Sequence, residues 1–163
     1  MSQTQLKEIY QPIAKELADV ERVLKASMMN SRSQSILKLG DYLLDVQGKR
    51  LRPALVILSA KATLEQKPKD TYGFAYRKAN HCSLTYQQLI KIASSIELIH
   101  MASLIHDDVI DHARFRHNKP TINQKFGQEA SIVLGDYLYS IGFELISSSR
   151  NPDMLSCIAC ATK

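Results

Sequence analysis

A chain of 163 residues, 45% hydrophobic and 23% charged, is long enough to bury one real core and too apolar to stay disordered. Its 21 Lys and Arg against 16 Asp and Glu leave +5 at pH 7, a scattered charge that attracts nucleic acid, an anionic membrane surface or a small polyanion without choosing among them. No run of about 18 or more uncharged apolar residues marks a membrane span, and the N-terminus has no apolar signal core, so a cytoplasmic location is expected.

Strand signals are nearly absent, and helical spacing recurs, so the fold is predicted to be all-α. Leu6, Ile9, Ile13, Leu17, Val20 and Leu24 step by three or four and mark a first helix, which Pro12 bends or divides. Residues 33–46 give a second helix, ended by Gly48. Pro53 can open a third, because its missing N–H costs nothing in a first turn. Residues 64–85 read as a long irregular connection. The strongest helix runs from Tyr86 to about Asp111, apolar round much of its circumference and therefore expected in the core. A loop over residues 112–127 leads to a helix from near Gln128 to Ser147, a turn at Asn151-Pro152 and a last apolar segment.

Chemistry concentrates at the end of the core helix. Asp107 and Asp111, four apart, share a helix face, where two carboxylates repel and are costly to desolvate. A hard divalent ion resolves both problems: magnesium takes carboxylate oxygens at about 2.0–2.1 Å and keeps waters that a phosphate can replace. The plainer alternative is a frayed acidic helix end, against which the helix dipole acts. His100 lies two turns before Asp107 on nearly the same face; His106 is read as a core histidine bonded to a carbonyl. Lys49, Arg50 and Arg52 at one glycine-marked helix start, with Arg114, Arg116 and Lys119 after the aspartates, suit an anion held partly by metal and partly by cations. Asp136 interrupts an apolar run and is expected as a buried capping or network residue, with a residue that supports the site from behind as the alternative. Cys157 and Cys160 lack the further ligands a zinc site needs and are expected as buried helix cysteines.

In order, Gly48-Lys49-Arg50-Leu51-Arg52-Pro53, then Glu97 to Asp111 (ELIHMASLIHDDVID), Asn118-Lys119-Pro120-Thr121-Ile122-Asn123 and Gly135-Asp136-Tyr137 resemble the trans-isoprenyl (polyprenyl) diphosphate synthases. The resemblance implies long helices around a central cavity, usually in a homodimer to which the helix after Gly127 contributes. It also implies condensation of an allylic diphosphate with isopentenyl diphosphate, without nucleic acid as partner. Asp107 and Asp111 would hold Mg²⁺ against the allylic diphosphate, with Asp108 helping in that acidic cluster and Arg116 as the allylic-diphosphate arginine. Lys49, Arg52, His100 and His117 would face isopentenyl diphosphate. Ala102 and Ser103 stand where a bulky aromatic closes the product tunnel in short-chain members, so a geranylgeranyl or longer product is implied.

The sequence departs from that pattern in three places. Gln47 replaces the usual first glycine of a pair, and His117 replaces the second arginine after the aspartates, a weaker clamp when neutral. The chain is also much shorter than family members and has no second aspartate-rich motif, since Asp153 stands alone. Residues 1–163 therefore read as the N-terminal portion of a single polyprenyl synthase domain. A non-catalytic partner subunit of a second synthase and an inactive fragment are alternatives. A terpene cyclase would need no isopentenyl clamp, and a basic nucleic-acid-binding module would set the acidic triplet against the phosphate backbone.

Overall fold

The computed structural model describes residues 3–45, 48–65 and 84–162. Helix α1 (Gln3–Tyr10) and α2 (Ala14–Met28) are the two halves of the predicted first helix, separated by a 3₁₀ turn at Gln11–Ile13 that contains Pro12. Ser33 caps α3 (Gln34–Leu44) by accepting the Ile36 N–H. Helix α4 (Leu51–Glu65) starts two residues before Pro53, which occupies its first turn. The long connection expected over residues 64–85 lies mostly outside the described residues; its first two belong to α4 and its last two lead into the next helix.

That next helix, α5 (Tyr86–Ile110), begins at a capping box in which Thr85 accepts the Gln88 N–H and the Gln88 side chain accepts the Thr85 N–H. It is the centre of the fold, packed most extensively on α7 (Gln128–Ser148) and also on α4 and α2. By length and mean hydropathy, 1.3, α5 could cross a membrane, which an uncharged-run criterion does not register; yet 67% of that window is buried by the neighbouring helices. Leu98 of α5 is fully buried, as are Ile13, Leu24, Ile57, Leu134 and Leu138 from the elements around it.

Two glycines let α5 and α7 approach closely. Gly142 receives Ile99, and a Cβ there would lie 2.9 Å from Ile99 Cγ1; Ser95 donates to the Gly142 carbonyl at 2.6 Å. Seven residues earlier on α7, Gly135 receives the ring of His106, which lies seven residues after Ile99 on α5. Helix α8 (Pro152–Ala161) completes the described chain.

The predicted loop over residues 112–127 is more structured than its composition suggests. It holds a two-stranded ribbon, β1 (Phe115–Arg116) and β2 (Lys119–Pro120), and a short helix, α6 (Ile122–Phe126). The ribbon is too short to show alternation. The α6 start is signalled by Thr121 and Gln124, since Thr121 accepts the Gln124 N–H. Two expectations are corrected. Asp136 is exposed on α7 rather than buried, because it falls on the outer side of a helix whose inner side carries Leu134 and Leu138. Cys157 and Cys160 are likewise exposed, the inward position on α8 being taken by Ile158.

Candidate functional site

Helix α5 ends in a hydrogen-bonded reversal. Asp111 is the C-cap, His112 adopts φ 50°, the His112 N–H bonds to the Val109 carbonyl at 3.3 Å and the Ala113 N–H to the Asp108 carbonyl at 3.0 Å. This is a Schellman stop with histidine in the left-handed position that glycine usually fills. The chain turns back along α5 and forms the ribbon, whose central residues His117 and Asn118 have φ of 49° and 62°, as a tight primed turn requires. Tyr42 Oη donates to the Pro120 carbonyl at 2.8 Å and Lys119 Nζ to the Asp45 carbonyl at 3.0 Å, which ties the ribbon to the end of α3. Lys119 is thereby used in the fold.

Between this ribbon, the residues entering α4 and one side of α5 lies a cavity of about 280 Å³. Lys49, Arg52, His100, Asp108, Arg116 and His117 all line it, so residues far apart in sequence converge on one space. Met101, Leu104 and Ile105 form its apolar wall. A larger open groove between α2, α3 and α6, about 890 Å³, carries Lys25, Lys38 and Lys125 against Asp41 and Asp45, with none of these motif residues.

Within the cavity the charged groups are already partly paired. Arg116 donates to Asp108 through Nε, at 3.0 and 3.2 Å to the two carboxylate oxygens, and through Nη2 at 2.7 Å. Asp108 is buried while the Arg116 side chain is 37% exposed. The hydrogen bond to Asp108 raises the Arg116 pKa further above its ordinary value, although desolvation opposes the charge. Asp108 thus engages an arginine instead of standing with Asp107 and Asp111 as one acidic face. Arg52 Nη1 lies 2.7 Å from His100 Nε2. An arginine only donates, so Nε2 is the acceptor and the neutral ring carries its proton on Nδ1. Burial first, then the Arg52 charge, lowers the His100 pKa below its usual value.

Asp107 and Asp111 do not line the cavity; both are exposed at the helix end, with no side-chain hydrogen bond or ion pair among the described residues. Two carboxylates one turn apart fit a hard cation that completes its shell with water and phosphate oxygens. Among the described residues no group of three or more His, Cys, Asp or Glu is placed to hold a metal by itself, so a site closed by protein ligands alone does not fit. Ala102 is fully buried and Ser103 half-buried, its hydroxyl donating to the His100 carbonyl at 2.8 Å; neither lines the cavity. His106 Nε2 sits 3.3 Å from the Ile132 carbonyl, the carbonyl contact expected of it, and 3.6 Å from Asp136.

Two features carry no signal in the sequence. Glu97 is buried, 5% exposed, and accepts from Arg50 at 3.0 Å, while Arg50 also pairs with Glu21 on α2. Tyr10 Oη donates to the Lys49 carbonyl at 2.6 Å. Both contacts join segments tens of residues apart, and spacing within one helix does not reveal them.

Residues 33–163 match the polyprenyl synthetase family. The chain is 34% identical over 143 residues to octaprenyl diphosphate synthase of Escherichia coli K12, covering 88% of this chain and 38% of that protein. It is 34% identical over 140 residues to decaprenyl-diphosphate synthase subunit 1 of Schizosaccharomyces pombe, with 81% and 37% covered. Among solved structures, the polyprenyl synthase from Caulobacter crescentus complexed with calcium and isoprenyl diphosphate superposes with a TM-score of 0.77 at 27% identity. That match covers 96% of this chain and 42% of that one. The decaprenyl diphosphate synthase from Rhodobacter capsulatus gives the same TM-score, identity and coverage. The long helices are those of the isoprenoid synthase fold, and the chain spans about two fifths of the length of these relatives.

Proposed function

The chain belongs to the polyprenyl synthetase family, and from that premise we propose that it carries one wall of a prenyltransferase site. In that reaction the allylic C–O bond breaks with its electron pair going to diphosphate. The isopentenyl double bond then attacks the allylic carbon, and loss of a proton restores an alkene. Residues 1–163 are the N-terminal portion of one polyprenyl synthase domain, a reading supported by the share of each relative that the chain spans.

The observation that carries the proposal is the convergence of Lys49, Arg52, His100, Arg116 and His117 on one cavity with an apolar wall. Lys49 and Arg52 bind the isopentenyl diphosphate as cations, and the His100 Nδ1–H offers a further donor. His117, held on the ribbon turn, contributes a weaker contact. Arg116 reaches the departing diphosphate from the ribbon, where negative charge develops. Asp107 and Asp111 would hold Mg²⁺, which when bound neutralises charge on that diphosphate. Asp108 keeps Arg116 in place. Met101, Leu104 and Ile105 keep water away from the electron-poor allylic carbon, which water would otherwise capture as an alcohol. Small side chains at Ala102 and Ser103, together with relatives named for octaprenyl and decaprenyl products, favour a geranylgeranyl or longer product. The exposed Ile132 and Val133 on α7 suit a dimer interface.

Calorimetric titration with inorganic diphosphate, with and without Mg²⁺, tests the site. Mg²⁺ should tighten binding, and Asp107→Ala should abolish that gain while leaving the metal-free affinity intact. Binding indifferent to Mg²⁺, or a gain that survives Asp107→Ala, would sink the assignment. Incubation with Mg²⁺, radiolabelled isopentenyl diphosphate and allylic primers of several lengths then reports whether this chain by itself completes the reaction, and the product length.

A further inference from the structure

Three cations stand in four residues at the cavity mouth, Lys49, Arg50 and Arg52, and the fold treats one of them differently. The Arg50 guanidinium is almost enclosed, with the side chain 11% exposed, and all three of its nitrogens are engaged. Nε and Nη2 donate to Glu21 on α2, the latter at 3.3 Å, and Nη1 donates to Glu97 on α5 at 3.0 Å. Burial works against its charge, but hydrogen bonds and attraction from Glu21 and Glu97 outweigh burial and keep it firmly protonated. A buried glutamate in the wall of an anion-binding cavity is otherwise a liability, since it repels the ligand; paired with Arg50 it is neutralised.

The backbone around Arg50 is fixed as tightly as its side chain. Arg50 has φ 51°, a left-handed conformation that a non-glycine residue keeps only when its surroundings impose it. Its carbonyl accepts the Ala54 N–H at 3.1 Å at the start of α4, and the preceding carbonyl, of Lys49, accepts from Tyr10 at 2.6 Å. Lys49, Arg50 and Arg52 all line the cavity, Arg52 against His100 and Arg50 with its guanidinium nitrogens held by Glu21 and Glu97.

We propose that Arg50 is a positioning residue: its double ion pair to Glu21 and Glu97 fixes the backbone turn that presents Lys49 and Arg52 to a diphosphate, which Arg50 itself does not bind. The inference rests on the diphosphate-site reading above and adds a division of labour among the three cations. Its consequence is selective. Loss of the pin should weaken the Lys49 and Arg52 contacts and leave Arg116, held on the ribbon by Asp108, unaffected.

The experiment is a set of double-mutant cycles read by inorganic diphosphate affinity on the full chain. The pin is removed as Arg50→Met/Glu97→Met, because replacing both buried partners with apolar groups of similar size leaves no buried charge orphaned, the remaining Glu21 being exposed to water. The expected result is about a tenfold loss of diphosphate affinity, with Lys49→Ala adding little on that background and Arg116→Ala adding its full effect. General loosening of the fold would blunt both. Full additivity with Lys49→Ala would make Arg50 an independent ligand group and overturn the proposal, as would unchanged affinity in the pin variant. Should circular dichroism show that the pair variant does not fold, Arg50→Lys replaces it: the charge remains opposite Glu97, but one ammonium cannot span both glutamates, and the same selective pattern is required. Failure of the unsubstituted, folded chain to bind diphosphate at all would overturn the site reading and this inference together, whereas binding without selective coupling overturns the inference alone.

Discussion

Gly135→Ala should reverse its sign with the residue at position 106. In the native background an added Cβ at Gly135 overlaps Nε2 of the His106 imidazole, with Cδ2 at 2.5 Å and Cε1 at 2.8 Å. Retreat of the ring would break its contacts with the Ile132 carbonyl at 3.3 Å and the Tyr139 ring, 5.9 Å between centroids. Overpacking of this kind costs about 1–3 kcal/mol. Replacing glycine by alanine inside a helix returns about 1 kcal/mol of propensity. The net is a destabilisation of about 1 kcal/mol, or about 2–4 °C in Tm for a chain of this size. Once His106→Ala has emptied the notch, the clash vanishes and the propensity gain remains, so the same Gly135→Ala change should stabilise by up to about 1 kcal/mol. Urea denaturation of the four proteins in the cycle measures both steps. A Gly135→Ala effect of the same sign in both backgrounds would refute the reading that the His106 ring fills the Gly135 notch. Because His106 directly precedes Asp107, Gly135→Ala should also weaken Mg²⁺-dependent diphosphate binding.

Removing Arg116 leaves the buried Asp108 carboxylate without its partner, and Arg116→Ala should destabilise by about 2 kcal/mol, below the usual cost of breaking a fully buried pair because Arg116 is part-exposed to water. Asp108→Asn, which keeps the shape and an acceptor oxygen, should cost less by the same denaturation assay; the reverse order would mean that Arg116 does not support Asp108. His100 should titrate below its ordinary value in the free chain, since burial and Arg52 both disfavour its charged form. The folded state then binds fewer protons than the unfolded one, so the His100 contribution is fully present above pH 6.5 and declines as pH falls from there through the lowered folded value. Arg52→Met should move the His100 titration upward by NMR; no movement would remove Arg52 as a cause.

Much of the fold was legible because its signals are local. The apolar stripe from Leu6 to Leu24, the division at Pro12, the helix that starts near Ser33 and the largely apolar surface of α5 each follow from residues within a turn or two of one another. The α6 helix was missed, because its start signals at Thr121 and Gln124 sit in a stretch whose polar composition reads as loop. Asp136, Cys157 and Cys160 mislead for the opposite reason: a helix apolar over most of its length does not reveal which position faces the one side left open, and only its neighbours decide that.

At the site, the sequence by itself determined which residue types stand where. The three aspartates end the core helix, the cations start α4 and follow the aspartates, and the order of motifs suffices to identify the family. Tertiary structure alone decided which of those charges are free. Arg50 is taken by Glu21 and Glu97, which are 29 and 47 positions away, and Asp108 by Arg116, only eight positions away but reachable through a left-handed reversal at His112. The physical reason is that helical periodicity acts over one or two turns, whereas an ion pair depends on the distance that packing brings about. The sequence therefore states the charges present, and the fold pairs off Arg50 and Asp108 while leaving Lys49, Asp107 and Asp111 open to a ligand.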